Sequence, residues 1–174
     1  YVIIALILMS IVLAVAMDSF LIPVFFMLNI GMSILYNLGT NQIQGEISFV
    51  TQALAAVLQL AVTADYSIFL WHSYKEQKEL HPDDKNEAMA VAIGQTFTSV
   101  VSSSITTVAG FLALCFMTFT LGLDIGVVMA KGVVLGVICT ITVLPAMILI
   151  FDKLLEKTMH KELIPSLDKV SGFI

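Results

Sequence analysis

Long apolar stretches, separated by short polar segments, dominate the hydrophobic pattern of the chain. Five of them are predicted membrane spans, at about 1–17, 20–38, 47–71, 97–119 and 126–151. About 20 consecutive apolar residues are enough for an α-helix to cross a bilayer. Five such spans joined by short loops predict an all-α fold, a polytopic membrane helical bundle with five transmembrane helices.

The uncharged stretch from Ala88 to Leu123 is too long for one straight crossing. Its 36 residues would form a helix about 54 Å long, whereas the hydrocarbon core is about 30 Å thick. We therefore expect a short interfacial helix over about 88–96, which precedes the fourth span. Asp124 and Gly126 then mark the turn into the fifth span.

Lysines are concentrated in two polar segments. The connector 75–87 carries Lys75, Lys78 and Lys85, and the tail 152–174 carries Lys153, Lys157, Lys161 and Lys169. The loops after the second and fourth spans carry none. Because cytoplasmic loops are enriched in lysine and arginine, the connector and the tail are predicted to be cytoplasmic. We expect the tail, which contains Pro165, to be an amphipathic linker.

Composition excludes several classes of protein. Hydrophobic residues make up 59% of the 174 residues and charged residues 12%, against about 25% charged in soluble domains. This is the composition of an integral membrane protein. There is no arginine, so the usual basic footprint for nucleic acid is missing. Cys115 and Cys139 lie in apolar runs without metal or disulfide spacing, and no metal site is predicted.

The chain starts at Tyr1, already inside an apolar run. No basic segment precedes this run and no cleavage site clearly follows it, so it does not resemble a signal peptide. We expect the chain to be a segment of a longer polypeptide.

A single carboxylate, Asp65, lies well inside the third span. A charge at that depth costs roughly 2.5–3.5 kcal/mol on insertion scales, so such a residue is usually paired, hydrated or engaged in proton transfer. Neutral Asp65 tolerates an apolar site, whereas the ionised form requires water or a hydrogen-bond donor. An inert structural acid is one interpretation, and a protonatable switch is the one we favour. Tyr66 supplies a phenol, but adjacent helical residues point about 100° apart, so we expect partners from other helices.

Polar residues occupy two faces of the third span. Gln52, Gln59, Thr63 and Tyr66 share one face, and Leu54, Leu58, Ala61, Asp65 and His72 share roughly the opposite one. Since neither face suits lipid, the pattern predicts a helix surrounded by protein.

Small and hydroxyl-bearing residues form stripes on the last two spans. The fourth carries Ser99, Ser102, Ser103, Thr106, Gly110 and Ala113, and the fifth carries Gly132, Gly136 and Thr140. Such stripes let membrane helices pack closely, and their hydroxyls can also line a hydrated path. Both explanations stay open for the fourth span. The candidate proton or substrate path consists of Thr63, Ser99, Ser102, Ser103 and Thr106, and the packing glycines are Gly110, Gly132 and Gly136.

Lys131 is expected to extend to the outer interface, with pairing to Asp65 as an alternative.

Three segments carry a family resemblance: TADYSIFLWHSYKEQ, AIGQTFTSVVSSSITTVAGFLAL and GLDIGVVMAKGVVLGVICTITVLPAMILIF. In this order, the Asp-Tyr pair, the Ser/Thr-rich span and the closing TVLPA resemble the membrane half-repeat of the MMPL branch of the resistance–nodulation–division (RND) superfamily. The resemblance covers essentially the whole chain. The five spans would correspond to helices two to six of a twelve-helix transporter, and the tail to the linker between its halves.

The resemblance implies an exporter of lipids or other amphiphiles in the bacterial plasma membrane, driven by the proton motive force. Asp65 and Tyr66 would be its buried proton-relay pair, acting with an equivalent pair from a second membrane half-repeat. Membrane lipids, the amphiphilic substrate and extracytoplasmic porter domains are the other expected partners. Helix one, those domains and the second half are not in this chain.

The five-helix unit is also similar to sterol-sensing domains, so a lipid-sensing module without proton coupling is the alternative. An enzyme is not expected, because the sequence has no nucleophile–base pair, metal-ligand cluster or phosphate-binding loop. No cofactor is expected, and protons would serve as the coupling ion.

Overall fold

A computed structural model describes residues 2–17, 19, 21–41, 48–117 and 120–158. It contains six α-helices: α1 (Val2–Ala16), α2 (Leu21–Asn41), α3 (Phe49–Leu80), α4 (Lys85–Leu114), α5 (Thr120–Ile150) and α6 (Asp152–Thr158). This architecture confirms the predicted all-α membrane bundle.

Four of these helices, α2 to α5, are long and apolar enough to cross a membrane by length and composition. The other apolar helix, α1, has 15 residues and is shorter than the roughly 20 that a crossing requires. Among the described residues, α3 contacts α1, α2, α4 and α5, and α5 contacts α2, α3, α4 and α6. These two helices therefore form the centre of the bundle.

The helix α4 is continuous, and the prediction of a separate interfacial helix over 88–96 is wrong. Its first turn is capped by Asp84, whose carboxylate accepts hydrogen bonds from the backbone N–H groups of Asn86 (2.9 Å) and Glu87 (3.1 Å). Ala88, Met89 and Ala92 are buried. Packing therefore holds these turns in line with the rest of α4.

The helix α3 also extends further than hydropathy predicted, into the polar connector as far as Leu80. Tyr74 and Gln77 are buried, so tertiary contacts stabilise these polar turns as a helix. The link between α3 and α4 is only residues 81–84.

The turn between α4 and α5 lies earlier than predicted. The helix α4 ends at Leu114, and both Asp124 and Gly126 lie inside α5. A Cβ atom on Gly126 would be 2.6 Å from the carbonyl oxygen of Phe111. This glycine lets α5 approach the end of α4, so its role is close packing and not chain reversal.

One end of the bundle carries the α3–α4 turn and α6, together with Lys78, Lys85 and Lys153. We call it the basic end. Here Asp152, which is 6% exposed, accepts hydrogen bonds from the Tyr74 hydroxyl (3.1 Å) and the Lys78 ammonium (2.7 Å). This acid therefore fastens the start of α6 to α3. The rest of the predicted tail, 159–174 with Pro165, lies outside the described residues.

Asp152→Ala is expected to lower the free energy of unfolding by about 1.5–3 kcal/mol, because it removes an acceptor of charge-assisted hydrogen bonds at a buried site. Thermal unfolding of the purified protein measures this loss. The neighbouring exposed Lys153→Ala is the control, for which we expect a change within about 0.5 kcal/mol. Equal effects of the two substitutions would contradict a fastening role for Asp152.

Candidate functional site

Asp65 and Tyr66 lie near the middle of α3 but point to different surroundings. Tyr66 is buried at 7% exposure, whereas Asp65 is exposed. The prediction that Asp65 is buried is therefore wrong for the described part of the chain. Because successive helical side chains diverge by about 100°, α3 can bury the phenol against α4 while the carboxylate stays on the bundle surface.

The Asp65 carboxylate lies in an open pocket between α3 and α4, with a volume of about 260 Å³. Its lining residues are Asp65, Tyr66, Phe69, Ser99, Val100 and Ser103. A water molecule occupies about 30 Å³ of liquid, so the pocket has room for several. No residue in the described ranges donates a hydrogen bond to this carboxylate. The acid is thus placed to exchange a proton with water or with a group that enters the pocket.

Tyr66 is held by Ser104, a residue that the sequence analysis did not select. The Ser104 Oγ lies 3.0 Å from the phenol oxygen and 2.5 Å from the carbonyl oxygen of Val100. A serine hydroxyl has one hydrogen, so when Ser104 donates to Val100, the phenol must be the donor to Ser104. The Tyr66 proton is then directed to α4 and not to Asp65.

The hydroxyl stripe of α4 is exposed. Ser99, Ser102, Ser103 and Thr106 lie three or four residues apart and share one surface of the helix. We call Asp65 together with these four residues the polar face. Gly110 continues the stripe, and no neighbouring helix comes within 4 Å of the position of a Cβ atom there. The packing role predicted for Gly110 is thus not seen within the described ranges.

Thr63, the fifth residue of the predicted path, is fully buried on the other side of α3 and does not belong to the polar face. It lies in a second polar region, which we call the polar column, where α2, α3 and α5 meet. The column consists of Asn29, Ser33, Asn37, Gln59, Thr63, Ser67, Gly132, Gly136 and Thr140.

Side-chain hydrogen bonds tie the three helices together along the polar column. The Asn29 amide donates to Ser67 and Thr140, each at 3.2 Å. Further along, the Asn37 amide donates to Gln59 at 2.9 Å, and the Gln59 amide donates to Ser33 at 2.5 Å.

Gly132 and Gly136 make room for the polar column. A Cβ atom on Gly132 would lie 2.6 Å from the Asn37 amide nitrogen, and one on Gly136 would lie 2.7 Å from the Thr63 hydroxyl oxygen. Both glycines therefore allow close helix contact, as small residues do in membrane bundles. Sequence reasoning missed the α2 side of the column, although Asn29, Ser33, Asn37 and Asn41 recur every fourth residue in an apolar helix.

Lys131 extends from α5 to Asn41, the last residue of α2, and its ammonium donates a hydrogen bond to the Asn41 amide oxygen. The alternative in which Lys131 pairs with Asp65 is therefore wrong.

Over the described ranges, no group of three His, Cys, Asp or Glu residues is placed to hold a metal ion. What the described side chains bring together at the Asp65 pocket is one exposed carboxylate and neutral groups that can form hydrogen bonds.

Sequence comparison relates this chain to curated membrane proteins. The sequence is 34% identical to the siderophore exporter MmpL5 of Mycobacterium tuberculosis over 122 residues, which cover 68% of this chain and 12% of that protein. It is 28% identical to the membrane protein YdfJ of Bacillus subtilis over 166 residues, covering 92% of this chain and 22% of YdfJ. The chain spans less than a quarter of the length of each curated relative it matches.

The sequence profile described as the MMPL family matches residues 1–163, which is nearly the whole chain. The match includes all of α1 to α6, and with them the Asp65 pocket, the polar face and the polar column. The multi-pass membrane protein described above therefore belongs to the MMPL family.

Proposed function

We propose that this chain is a membrane domain of an exporter of lipids or other amphiphiles, driven by the proton motive force, with Asp65 as the proton carrier. The observation that carries the proposal is the position of this carboxylate. Asp65 is the 17th of the 32 residues of α3, so it lies about 24 Å along the helix axis from the first residue. At that depth it is in a pocket large enough for water.

Tyr66 tunes the carrier through its link to α4. The hydrogen bond between the phenol and Ser104 fixes the position of α4 beside Asp65. Ser99 and Ser103 then offer hydroxyls at the mouth of the pocket. These neutral groups can order water beside the ionised acid and leave the protonated acid stable.

The polar face requires a partner, and we propose that a second membrane half-repeat covers it. A carboxylate exposed to the hydrocarbon core would cost roughly 2.5–3.5 kcal/mol, so lipid is an unfavourable neighbour for this surface. The greater length of the relatives leaves room for such a half and for extracytoplasmic porter domains. Donors from the second half would then complete the surroundings of Asp65.

The basic end is proposed to face the cytoplasm of a bacterial cell, since cytoplasmic segments are enriched in lysine. The proton then enters from the opposite side. Each proton that crosses a potential of 100 mV releases about 2.3 kcal/mol, enough to shift the bundle between two packings.

An apolar groove supports a lipid-like substrate class. It lies between α4 and α5, has a volume of about 410 Å³ and is lined almost entirely by aliphatic residues, including Ile105, Val108 and Val137. Its one polar lining residue is Ser104, which also contacts Tyr66. An acyl chain in this groove would therefore lie next to the proposed proton site. A lipid sensor without proton coupling could use the same groove and is the second candidate.

Transport by the full-length protein in proteoliposomes separates these functions. A pH gradient is imposed, and a fluorescent lipid analogue is followed together with internal pH. An exporter moves the lipid only when the gradient is present and dissipates the gradient faster when the lipid is added. Lipid binding without either flux would overturn the exporter and favour the sensor.

A further inference from the structure

Lys131 is an isolated cation in this sequence. Of the eight lysines, seven belong to the connector and the tail, and there is no arginine. Lys131 is instead inside α5, next to Gly132 of the polar column and away from the basic end. A cation inside a membrane span is costly and needs a compensating group.

The described residues supply Lys131 with an amide and no carboxylate. Its ammonium donates to the Asn41 amide oxygen, which leaves the other ammonium hydrogens available. Asn41 is 4% exposed, and its amide nitrogen has no hydrogen-bond acceptor within the described ranges. A buried donor without an acceptor is destabilising, so this nitrogen indicates a missing acceptor.

The two donors form one site. The Asn41 amide oxygen accepts a hydrogen bond from Lys131, so the pair presents the N–H groups of Asn41 together with the positive charge of Lys131. Because the Lys131 ammonium donates to the oxygen of the same amide group that carries this nitrogen, the two donors lie close together and a single anion can contact both. A ligand that fits these two donors carries a carboxylate or a phosphate group. Either group accepts several hydrogen bonds and has a charge opposite to that of Lys131.

We propose that Lys131 and Asn41 bind the anionic headgroup of an amphiphile, at the end of the polar column away from the basic end. This position is separate from the Asp65 pocket, whose lining includes neither residue. The ligand is an amphiphile because its headgroup must reach a cation on a membrane-spanning helix while its chains remain in the bilayer. This site does not depend on proton coupling and goes beyond the proposed function.

Native mass spectrometry of the full-length protein tests the site, with dioleoyl phosphatidylglycerol, dioleoyl phosphatidylcholine and oleate as probes. Lys131→Gln removes the charge and is expected to reduce bound phosphatidylglycerol or oleate at least tenfold, without reducing phosphatidylcholine. Loss of phosphatidylglycerol alone identifies a phosphate headgroup, and loss of oleate alone identifies a carboxylate. Lys153→Gln, at an exposed lysine of the basic end, is the matched control and should change nothing.

Asn41→Asp keeps the test valid if Lys131→Gln folds poorly. The new carboxylate gives Lys131 an internal counter-ion and repels an incoming anion, so binding should fall at least tenfold while the melting temperature is unchanged or raised. Unchanged binding of both anionic probes in Lys131→Gln and Asn41→Asp would overturn the proposal.

Glu46, which lies outside the described residues, is the one acidic residue between α2 and α3 in the sequence. Glu46→Gln distinguishes an internal partner from a ligand. We expect this variant to bind anionic amphiphile as the wild type does. If Lys131-dependent binding occurs only after Glu46→Gln, the anion of Lys131 is internal and the proposal is wrong.

Discussion

Asp65→Asn is expected to abolish export driven by a pH gradient while the protein still folds and inserts. Asparagine has nearly the shape of aspartate but cannot bind and release a proton. The carboxylate is on the bundle surface, so few packing contacts change within the described ranges. We expect transport to fall by at least about 100-fold, the lower range of what a positioned proton-transfer group contributes. Transport in proteoliposomes, with equal amounts of inserted protein, measures this.

Two further variants control for charge and for position. Asp83→Asn removes an exposed carboxylate from the α3–α4 turn and should transport normally. Asp65→Glu keeps a protonatable group one bond further out and should retain part of the activity. If Asp65→Asn still exports in response to the gradient, Asp65 is a structural acid and the relay is wrong.

Gly132→Val is expected to destabilise the bundle strongly. Even its first added atom, Cβ, would lie 2.6 Å from the Asn37 amide nitrogen and 3.1 Å from the Gln59 amide oxygen. It would therefore separate two groups that are now joined by a 2.9 Å hydrogen bond. Overpacking costs about 1–3 kcal/mol and a buried group left without its partner costs about 1–3 kcal/mol more.

Thermal unfolding in detergent measures the Gly132→Val effect, and Gly31→Ala in α2 provides the control. No neighbouring helix lies within 4 Å of a Cβ atom at Gly31. Alanine there is expected to be neutral or to stabilise the helix by up to about 1 kcal/mol. A Gly132→Val protein as stable as Gly31→Ala would show that the polar column does not hold α2, α3 and α5 together.

Hydropathy predicted the helical fold because apolar length is a local property of the sequence. It did not predict where α3 ends and α4 begins at the basic end. There, Tyr74 and Met89 are buried, and the hydrogen bond from Tyr74 to Asp152 joins residues 78 apart in sequence, whereas the Asp84 cap of α4 is a local contact. Gly126 was predicted to mark a turn for a similar reason. Glycine is common both in turns and in close helix contacts, and only the position of Phe111 identifies the contact.

The candidate site was predicted in part. Periodicity divided α3 into two polar faces, but it could not show that Thr63 faces α2 and α5 while Asp65 is exposed. Both faces combine polar and small residues, so their composition is alike. Ser104 follows Ser102 and Ser103 directly, and only the helical rotation of α4 directs it to Tyr66. Lys131 and Asn41 are 90 residues apart, a separation at which a pair contact cannot be read from a single sequence.

Observation of the Asp65 proton itself tests directly whether this carboxylate is the proton carrier. Difference infrared spectroscopy of the full-length protein follows the carboxyl C=O stretch while pH is varied, in wild type and in Asp65→Asn. If Asp65 carries the proton, the wild type shows a protonated-carboxyl band that is missing in Asp65→Asn and whose intensity changes over the same pH range as transport. If Asp65 stays in one protonation state throughout the range in which the protein exports, Asp65 does not carry the proton.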